Sequence, residues 1–275
     1  MPDSLQKIAE GFTAEIFRLD ADRVLKLYKP PFASVRDAEF EKMRLLADCA
    51  DFIPPVYETV TVDNRPGYTM PFIDGPSLRT LSQNIADPNE IADPMFTLYL
   101  RLLNINTPSS FESVSDRIAA RITHHQKDEK MRTATLQLLS TLPPGSHLCH
   151  GDFHAGNILI SDSASYLIDW NGSARSDLHA DLAKTLILTR YAPPSLALQG
   201  NGYDQRAEIC CAYLTHFSHQ NLLDESLLTQ WLLIRAVEFQ TFNIPSFQQS
   251  LYLHIQTWLT DTPPNHHQIL SLDPH

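Results

Sequence analysis

The run His150, Gly151, Asp152, Phe153, His154, Ala155, Gly156, Asn157, followed by Leu167, Ile168, Asp169, Trp170, sets a carboxylate, a carboxamide and a second carboxylate at short, ordered intervals. Two apolar runs, 157–160 and 166–168, lie between them and are joined by the turn-rich link Ser161, Asp162, Ser163, Ala164, Ser165. That pattern predicts a hairpin. Asn157 then starts one strand and Asp169 ends its partner, so the two oxygen-bearing side chains meet where a hard cation such as Mg2+ could bind. Asp152, on the loop just before, is placed to accept a proton from a substrate hydroxyl. The set suits phosphoryl transfer.

Read together, H-G-D-x-x-x-x-N, then I-D-W, then Asp181-Leu182-Ala183 resembles the aminoglycoside phosphotransferase and choline kinase-like superfamily. The resemblance implies that Asp152 is the catalytic base, Asn157 and Asp169 the metal ligands, and His150 a residue that holds the loop. There is one departure: Ser176-Asp177-Leu178 stands where many members carry G-D-P, which bears on the substrate-side loop. Gly151 in place of the arginine of H-R-D, and the short interval from Asp169 to Asp181, argue against a protein kinase. A nucleotide-holding pseudokinase is the binding-module alternative, although every expected catalytic residue is present.

If Asp152 and Asp169 serve ATP, a lysine and a phosphate-covering turn should precede them. Residues 8–9, the turn at Glu10, Gly11, Phe12 and Thr13, and residues 14–19 read as strand, turn, strand. Gly11 can bring backbone N–H groups over phosphates, though an ordinary hairpin would look the same. The third strand, 23–28, carries Lys26 among Val24, Leu25 and Leu27. An unpaired ammonium is costly there, so an anion should meet it, unless the strand lies at an edge and the lysine snorkels to water. Lys29, before Pro30 and Pro31, should be solvated. In the helical pattern 37–49, Glu39 shares a face with Met43 and Leu46, whereas Glu41 has Arg44 within reach. Glu39 is therefore the expected partner of Lys26.

Strands at 55–62 and 68–72, with a turn at 63–67, complete five antiparallel strands and one helix. In kinase-like folds the hinge backbone reads adenine, and matching positions gives the Pro71 C=O and the Ile73 N–H. Proline lacks only the donor, so position 71 tolerates it. From residue 76 strand patterns cease apart from the catalytic hairpin, and helical spacing appears at 95–103, 111–126, 130–142, 206–219 and 227–241. The fold expected from the resemblance is α+β and bilobal, protein-kinase-like: a small antiparallel-sheet N-lobe with one helix (1–73), which clamps the nucleotide, and a larger, mainly helical C-lobe (74–275) for catalysis and substrate. Glu238, on a packing face, reads as half of a structural ion pair, Trp170 as core, and Asp181 as a brace for the catalytic loop.

The chain has 275 residues, 43% hydrophobic and 19% charged, enough for a sizeable core and against disorder. No apolar run approaches a membrane span. The opening residues lack the regions of a secretory signal, and the four cysteines (49, 149, 210, 211) form no framework, so a cytoplasmic setting is expected. A net charge of −11 disfavours nucleic acid and is compatible with a cationic small substrate. His147, Cys149, His150 and His154 are a conceivable zinc cluster, but His147 and Cys149 alternate with their neighbours along an expected strand and no second ligand pair with suitable spacing follows. His124, His125, His266 and His267 look solvated, and the tail from residue 260 loosely held. The sequence predicts ATP- and Mg2+-dependent phosphorylation of a small hydroxylated molecule. An antibiotic-resistance kinase of the aminoglycoside type is the narrower alternative, with Asp177, Asp181 and Glu238 available to a cation.

Overall fold

The structure, a computed structural model, describes residues 5–192, 199–200, 203–242, 244–260 and 264–270. By contact the chain divides into two compact units, Met1–Leu78 with Gly156–Gly172, and Arg79–Ala155 with Ser173–His275.

The first unit opens with strands β1 (Gln6–Glu10), β2 (Ala14–Arg18) and β3 (Arg23–Tyr28), then helix α1 (Val35–Leu46), β4 (Thr59–Val62) and β5 (Arg65–Pro71). They form a five-stranded antiparallel sheet in the order β1-β2-β3-β5-β4. Strand β3 is therefore interior, which removes the edge-strand reading of Lys26. Alternation along it decides the two faces. Leu25 and Leu27 join Phe17 in one apolar cluster, covered by Leu5, Leu19, Val60 and Val62. Lys26, with Val24 and Tyr28, takes the opposite face.

Helix α1 buries Glu39, Met43 and Leu46, the stripe that the sequence predicts. The turn between β4 and β5 is tighter than expected. It consists of Asp63 and Asn64 alone, with φ of 49° and 61°, and Val62 pairs directly with Arg65. Two successive positive-φ residues make the hairpin turn whose twist matches the flanking strands, and Asn and Asp tolerate that region. Pro66 fits in the strand because it lies one residue beyond the β3 register, which ends at the Leu27–Gly67 pair. Strand β4 starts at Thr59 rather than at 55, although Tyr57 N–H still donates to the Thr69 carbonyl at 2.9 Å.

The chain then enters the second unit through α2 (Leu78–Ser82), α3 (Asn89–Leu103), α4 (Val114–His125), α5 (Glu129–Thr141) and strand β6 (His147–Cys149). Ser113 and Asp128 cap α4 and α5 by accepting the N–H of Asp116 and Met131, at 3.3 and 2.9 Å. It returns to the first unit for the hairpin β7 (Ile158–Ile160) and β8 (Ser165–Leu167), in antiparallel register as expected. Gly75 is seated against this hairpin so closely that a Cβ would lie 2.0 Å from the Ile160 carbonyl oxygen.

The remainder runs β9 (Ala174–Ser176), α6 (Leu178–Tyr191), β10 (Gln199–Gly200), β11 (Tyr203–Asp204), α7 (Arg206–His219), α8 (Glu225–Gln240), α9 (Pro245–Thr260) and α10 (His266–Leu270). The expectation that strands cease outside the hairpin is corrected by β9, which pairs with β6, and by the short antiparallel pair β10–β11. Helix α6 is buried on almost every side, packed by α7 and α8, and so presents no apolar stripe from which to predict it. Residues 264–270 are not loosely held: Ile269 and Leu270 are buried, Tyr191 Oη donates to the Ile269 carbonyl, and His266 is buried rather than solvated. The tail residues 261–263 and 271–275 lie outside the described residues.

Substituting Gly75→Ala should lower unfolding free energy by about 2–3 kcal/mol, because a methyl group is forced into hairpin backbone. Urea denaturation measures this, and an unchanged midpoint would contradict the close approach.

Candidate active site

In the first unit, the site begins with a charge that burial makes expensive. Lys26 is only 7% exposed. Its Nζ donates to Glu39 Oε1 and Oε2 at 2.8 and 3.0 Å, and to Asp169 Oδ1 at 3.1 Å. Burial alone would push the ammonium's pKa down; Asp169 and then Glu39 override it and hold the group well above the ordinary lysine value. Glu39 is fully buried and also accepts from Tyr28 Oη. Burial raises the Tyr28 and Tyr68 phenols, which therefore stay protonated beside it. Glu41 is exposed and paired with Arg44 at 2.9 Å, so the choice of Glu39 over it is correct.

Asn157 and Asp169 flank the hairpin β7–β8. Asn157 is 8% exposed and closes the 3-10 turn Ala155–Asn157. Its carbonyl accepts the Ile168 N–H at 3.0 Å, which ties the start of β7 to the residue before Asp169. Asp169 itself has φ of 68°, a left-handed conformation uncommon outside glycine and most tolerable for Asn and Asp. Such a backbone is retained only where neighbours over-determine it, and the Lys26 ion pair is one such neighbour. Trp170 is fully buried, its Nε1 donating to the Leu167 carbonyl at 2.8 Å, so it is core as expected.

At the sheet's end, Phe72 N–H donates to the Asp22 carbonyl at 2.7 Å, in phase with the residues that face β3. Alternation turns the Pro71 carbonyl to the other side, beyond the reach of β4. In the β1–β2 turn, Gly11 N–H is taken by the Ala14 carbonyl at 2.9 Å and the Gly11 carbonyl by Lys29 Nζ at 2.9 Å. Lys29 also pairs with Glu10 at 2.8 Å, so it is less solvated than expected.

In the second unit, Asp152 sits on a loop mounted on α6. The two oxygens of Asp181 accept the N–H groups of His150 and Gly151, each at 2.8 Å. Gly151 has φ of 77°, a region open to glycine, and this conformation presents both N–H groups to one carboxylate. Asp181 is thus the brace that the sequence suggests. The Asp152 oxygens lie 3.6 Å from His154 Nε2 and 3.8 Å from Lys184 Nζ. Burial alone would raise the Asp152 carboxyl; His154 and Lys184, and to a smaller extent His150, hold it well below the usual carboxylate range.

Of the zinc candidates, His147 is exposed whereas Cys149 and His150 are buried. Among the described residues no group of three or more His, Cys, Asp or Glu side chains could hold a metal ion.

Sequence reasoning missed Lys184 and Arg235. Lys184 follows Asp181 by three positions, and that spacing on one helix face was the available signal. Arg235 is 1% exposed and pairs with Glu238 at 2.7 Å, again three positions apart, which gives Glu238 the structural partner expected of it.

Residues 4–209 match the model of a family described as the phosphotransferase enzyme family. No curated protein matches. Among solved structures, an aminoglycoside-3'-phosphotransferase of type VIII is 18% identical over 85% of this chain and 91% of its own, with a TM-score of 0.62. An amicoumacin kinase solved with AMP-PNP, Ca2+ and Ami is 12% identical over 98% and 92%, with a TM-score of 0.65. A choline/ethanolamine kinase family protein from Mesorhizobium loti is 14% identical over 98% and 92%, with a TM-score of 0.57. The fold is accordingly the protein-kinase-like one, with an antiparallel-sheet N-lobe carrying one helix and a larger, mainly helical C-lobe.

A carboxylate whose folded pKa lies below its unfolded value adds stability above the unfolded value and loses it as pH falls toward the folded one. For Asp152→Asn, the stability difference from the parent should be flat above about pH 5 and fall below about pH 4. Urea denaturation across that range reads it, and a difference constant to about pH 3 would refute the depressed pKa.

Proposed function

We propose a function from one premise: the chain belongs to the phosphotransferase enzyme family, and so moves a phosphoryl group from a nucleotide to a small molecule. The finer reading is ATP-dependent transfer of the γ-phosphoryl group to a hydroxyl, with Asp152 as catalytic base. The observation that carries it is the buried Lys26, held by Glu39 and touching Asp169 in the same unit as Asn157. All three of its N–H groups meet carboxylate oxygens, and the one on Asp169 would turn to phosphate oxygens when nucleotide binds.

Residues 1–73 are proposed as the nucleotide clamp and 74–275 as the catalytic and substrate-binding part. The Pro71 C=O accepts from the adenine amino group and the Ile73 N–H donates to the ring. The Gly11 turn covers the phosphates through the N–H groups that follow Gly11, since its own is bonded to Ala14. Asn157 and Asp169 would hold Mg2+. Two oxygen donors rather than a complete cage fit an ion that keeps waters and shares the phosphates. When bound there, Mg2+ supplies positive charge that neutralises the phosphate oxygens.

Asp152 orients the acceptor hydroxyl and receives its proton. Held well below the ordinary carboxylate range, it is a weak base. That suits a loose transition state, in which the attacking oxygen becomes acidic only late and positioning supplies most of the acceleration.

The acids that would draw a polycationic acceptor are already engaged. Asp181 holds the loop N–H groups and Glu238 holds Arg235. Asp177 caps α6 at the His179 N–H (2.9 Å) and meets His179 Nδ1 at 2.6 Å. We therefore propose a small hydroxylated acceptor whose recognition does not rest on these three carboxylates. No helix among the described residues is long and apolar enough to cross a membrane, and a cytoplasmic location, where ATP is plentiful, is proposed.

Asp152→Ala should lower turnover by roughly two to four orders of magnitude, with nucleotide affinity kept. ADP release tests this, and parent-like turnover would remove Asp152 from its role. Asp169→Ala should abolish Mg2+-dependent ATP binding; calorimetry with and without EDTA checks it, and unchanged dependence on the metal would move the ion elsewhere.

A further inference from the structure

Lys184 has no part in the scheme above, yet its placement is specific. It stands on α6 three residues after Asp181, and its side chain is 19% exposed. Its Nζ donates to the Gly151 carbonyl and lies 3.8 Å from Asp152 Oδ1. Helix α6 thus grips the catalytic loop by both backbone polarities. Asp181 takes two N–H groups, and Lys184, one turn on, takes the carbonyl between them and Asp152.

The buried charges behind the lysine alternate in sign. Arg235 donates to the Ala180 carbonyl at 3.0 Å through Nε and to Glu238 at 2.7 Å through Nη1. Burial alone would raise the Glu238 carboxyl, but Arg235 and then Lys184 lower it, so it stays an anion in electrostatic reach of the lysine. The order from the core outward is Arg235, Glu238, Lys184, Asp152, with His154 Nε2 at 3.6 Å on the far carboxylate oxygen. His150 is the other titratable group that bears on Asp152. A plain brace would not need this. Asp181 already fastens the loop with two charge-assisted hydrogen bonds, and holding a long lysine side chain in one geometry costs rotamer entropy.

We propose that Lys184 is a positioning residue for the reaction: its ammonium ties the Gly151 carbonyl to the Asp152 carboxylate and fixes the direction in which that carboxylate meets the acceptor hydroxyl. This rests on the reading of Asp152 as the base. Lysine offers three donors, so one can hold the carbonyl while another points at the carboxylate.

The test is a double-mutant cycle on the full chain, with MgATP and water as the acceptor, read as ADP release under single-turnover conditions. Lys184→Met should slow turnover about ten- to thirty-fold in the parent background, the size expected of one charge-assisted contact. Because the lysine acts through Asp152, the same change should cost less than about twofold once Asp152→Ala is present. Affinity for MgADP, measured by calorimetry, should stay within about twofold, and Lys184→Arg, which keeps the charge, should recover most of the rate. Where Lys184→Met fails to fold, Lys184→Gln, with a donor for the carbonyl but no charge, takes its place in the cycle.

An equal loss in both backgrounds, or parent-like turnover in the charge-free variants, would overturn the proposal. Asp152→Ala with parent-like turnover is a separate outcome: it refutes the base itself, whatever Lys184 does.

Discussion

A lysine ammonium taken out of water must be met by negative charge, and that requirement organises the first unit. Removing one such ion from solvent costs several kcal/mol even after relaxation, so Lys26 on an interior strand is tolerable only with its partners in place. The consequences run in several directions. Glu39 has to face inward from α1, which fixes the rotation of that helix on the sheet. Tyr28 and Tyr68 stay protonated around the pair. Asp169 is drawn to the same ammonium although its backbone pays in left-handed strain. A pair of this kind adds little net stability compared with an apolar replacement. What it provides is a cation held in one place, its three donors aimed by two carboxylates.

The same logic explains why this part of the chain was legible. A lysine between Val24, Leu25 and Leu27 signals an anion, and i, i+4, i+7 spacing singles out Glu39 over Glu41. Both inferences need only local sequence. The hairpin at 158–167 and the helix at 114–125 are equally local, because turn residues mark the one and the stripe Val114, Ile118, Ile122 the other. The two-residue turn at Asp63–Asn64 was blurred by Arg65, Pro66 and Gly67, which look like turn residues yet continue β5. Pro66 escapes the usual penalty only because the neighbouring register has ended, and a sequence does not display register.

Helix α6 and strand β9 were illegible for a different reason. A helix buried on every side has no polar face to set against an apolar one, so its period vanishes from the sequence. A three-residue strand paired only with β6 is too short to show alternation. The cost of missing α6 was larger than one element. Asp181 could be read from its motif, but Lys184 could not be read without knowing that the two share a helical face. Arg235 hid in the same way, as a charge inside a segment apolar enough to pass for core.

These omissions bear on acceptor chemistry more than on phosphate chemistry. An acidic chain with Asp177, Asp181 and Glu238 in its helical part suggests a receptor for cations when only composition and position are known. Each of those carboxylates turns out to have an internal claim on it: a helix N-terminus, a pair of loop N–H groups, a buried guanidinium. Beside the Asp152 carboxylate lie the Lys184 ammonium, at 3.8 Å, and the His154 ring, at 3.6 Å. Net charge is therefore a poor guide to what a site attracts, because a carboxylate already satisfied by hydrogen bonds and a cation presents little field to a ligand. Charge near a reacting atom has to be counted after the internal pairs are removed. By that count Asp177, Asp181 and Glu238 are not left to gather cations, and Lys184 beside Asp152 serves to orient and retain a carboxylate.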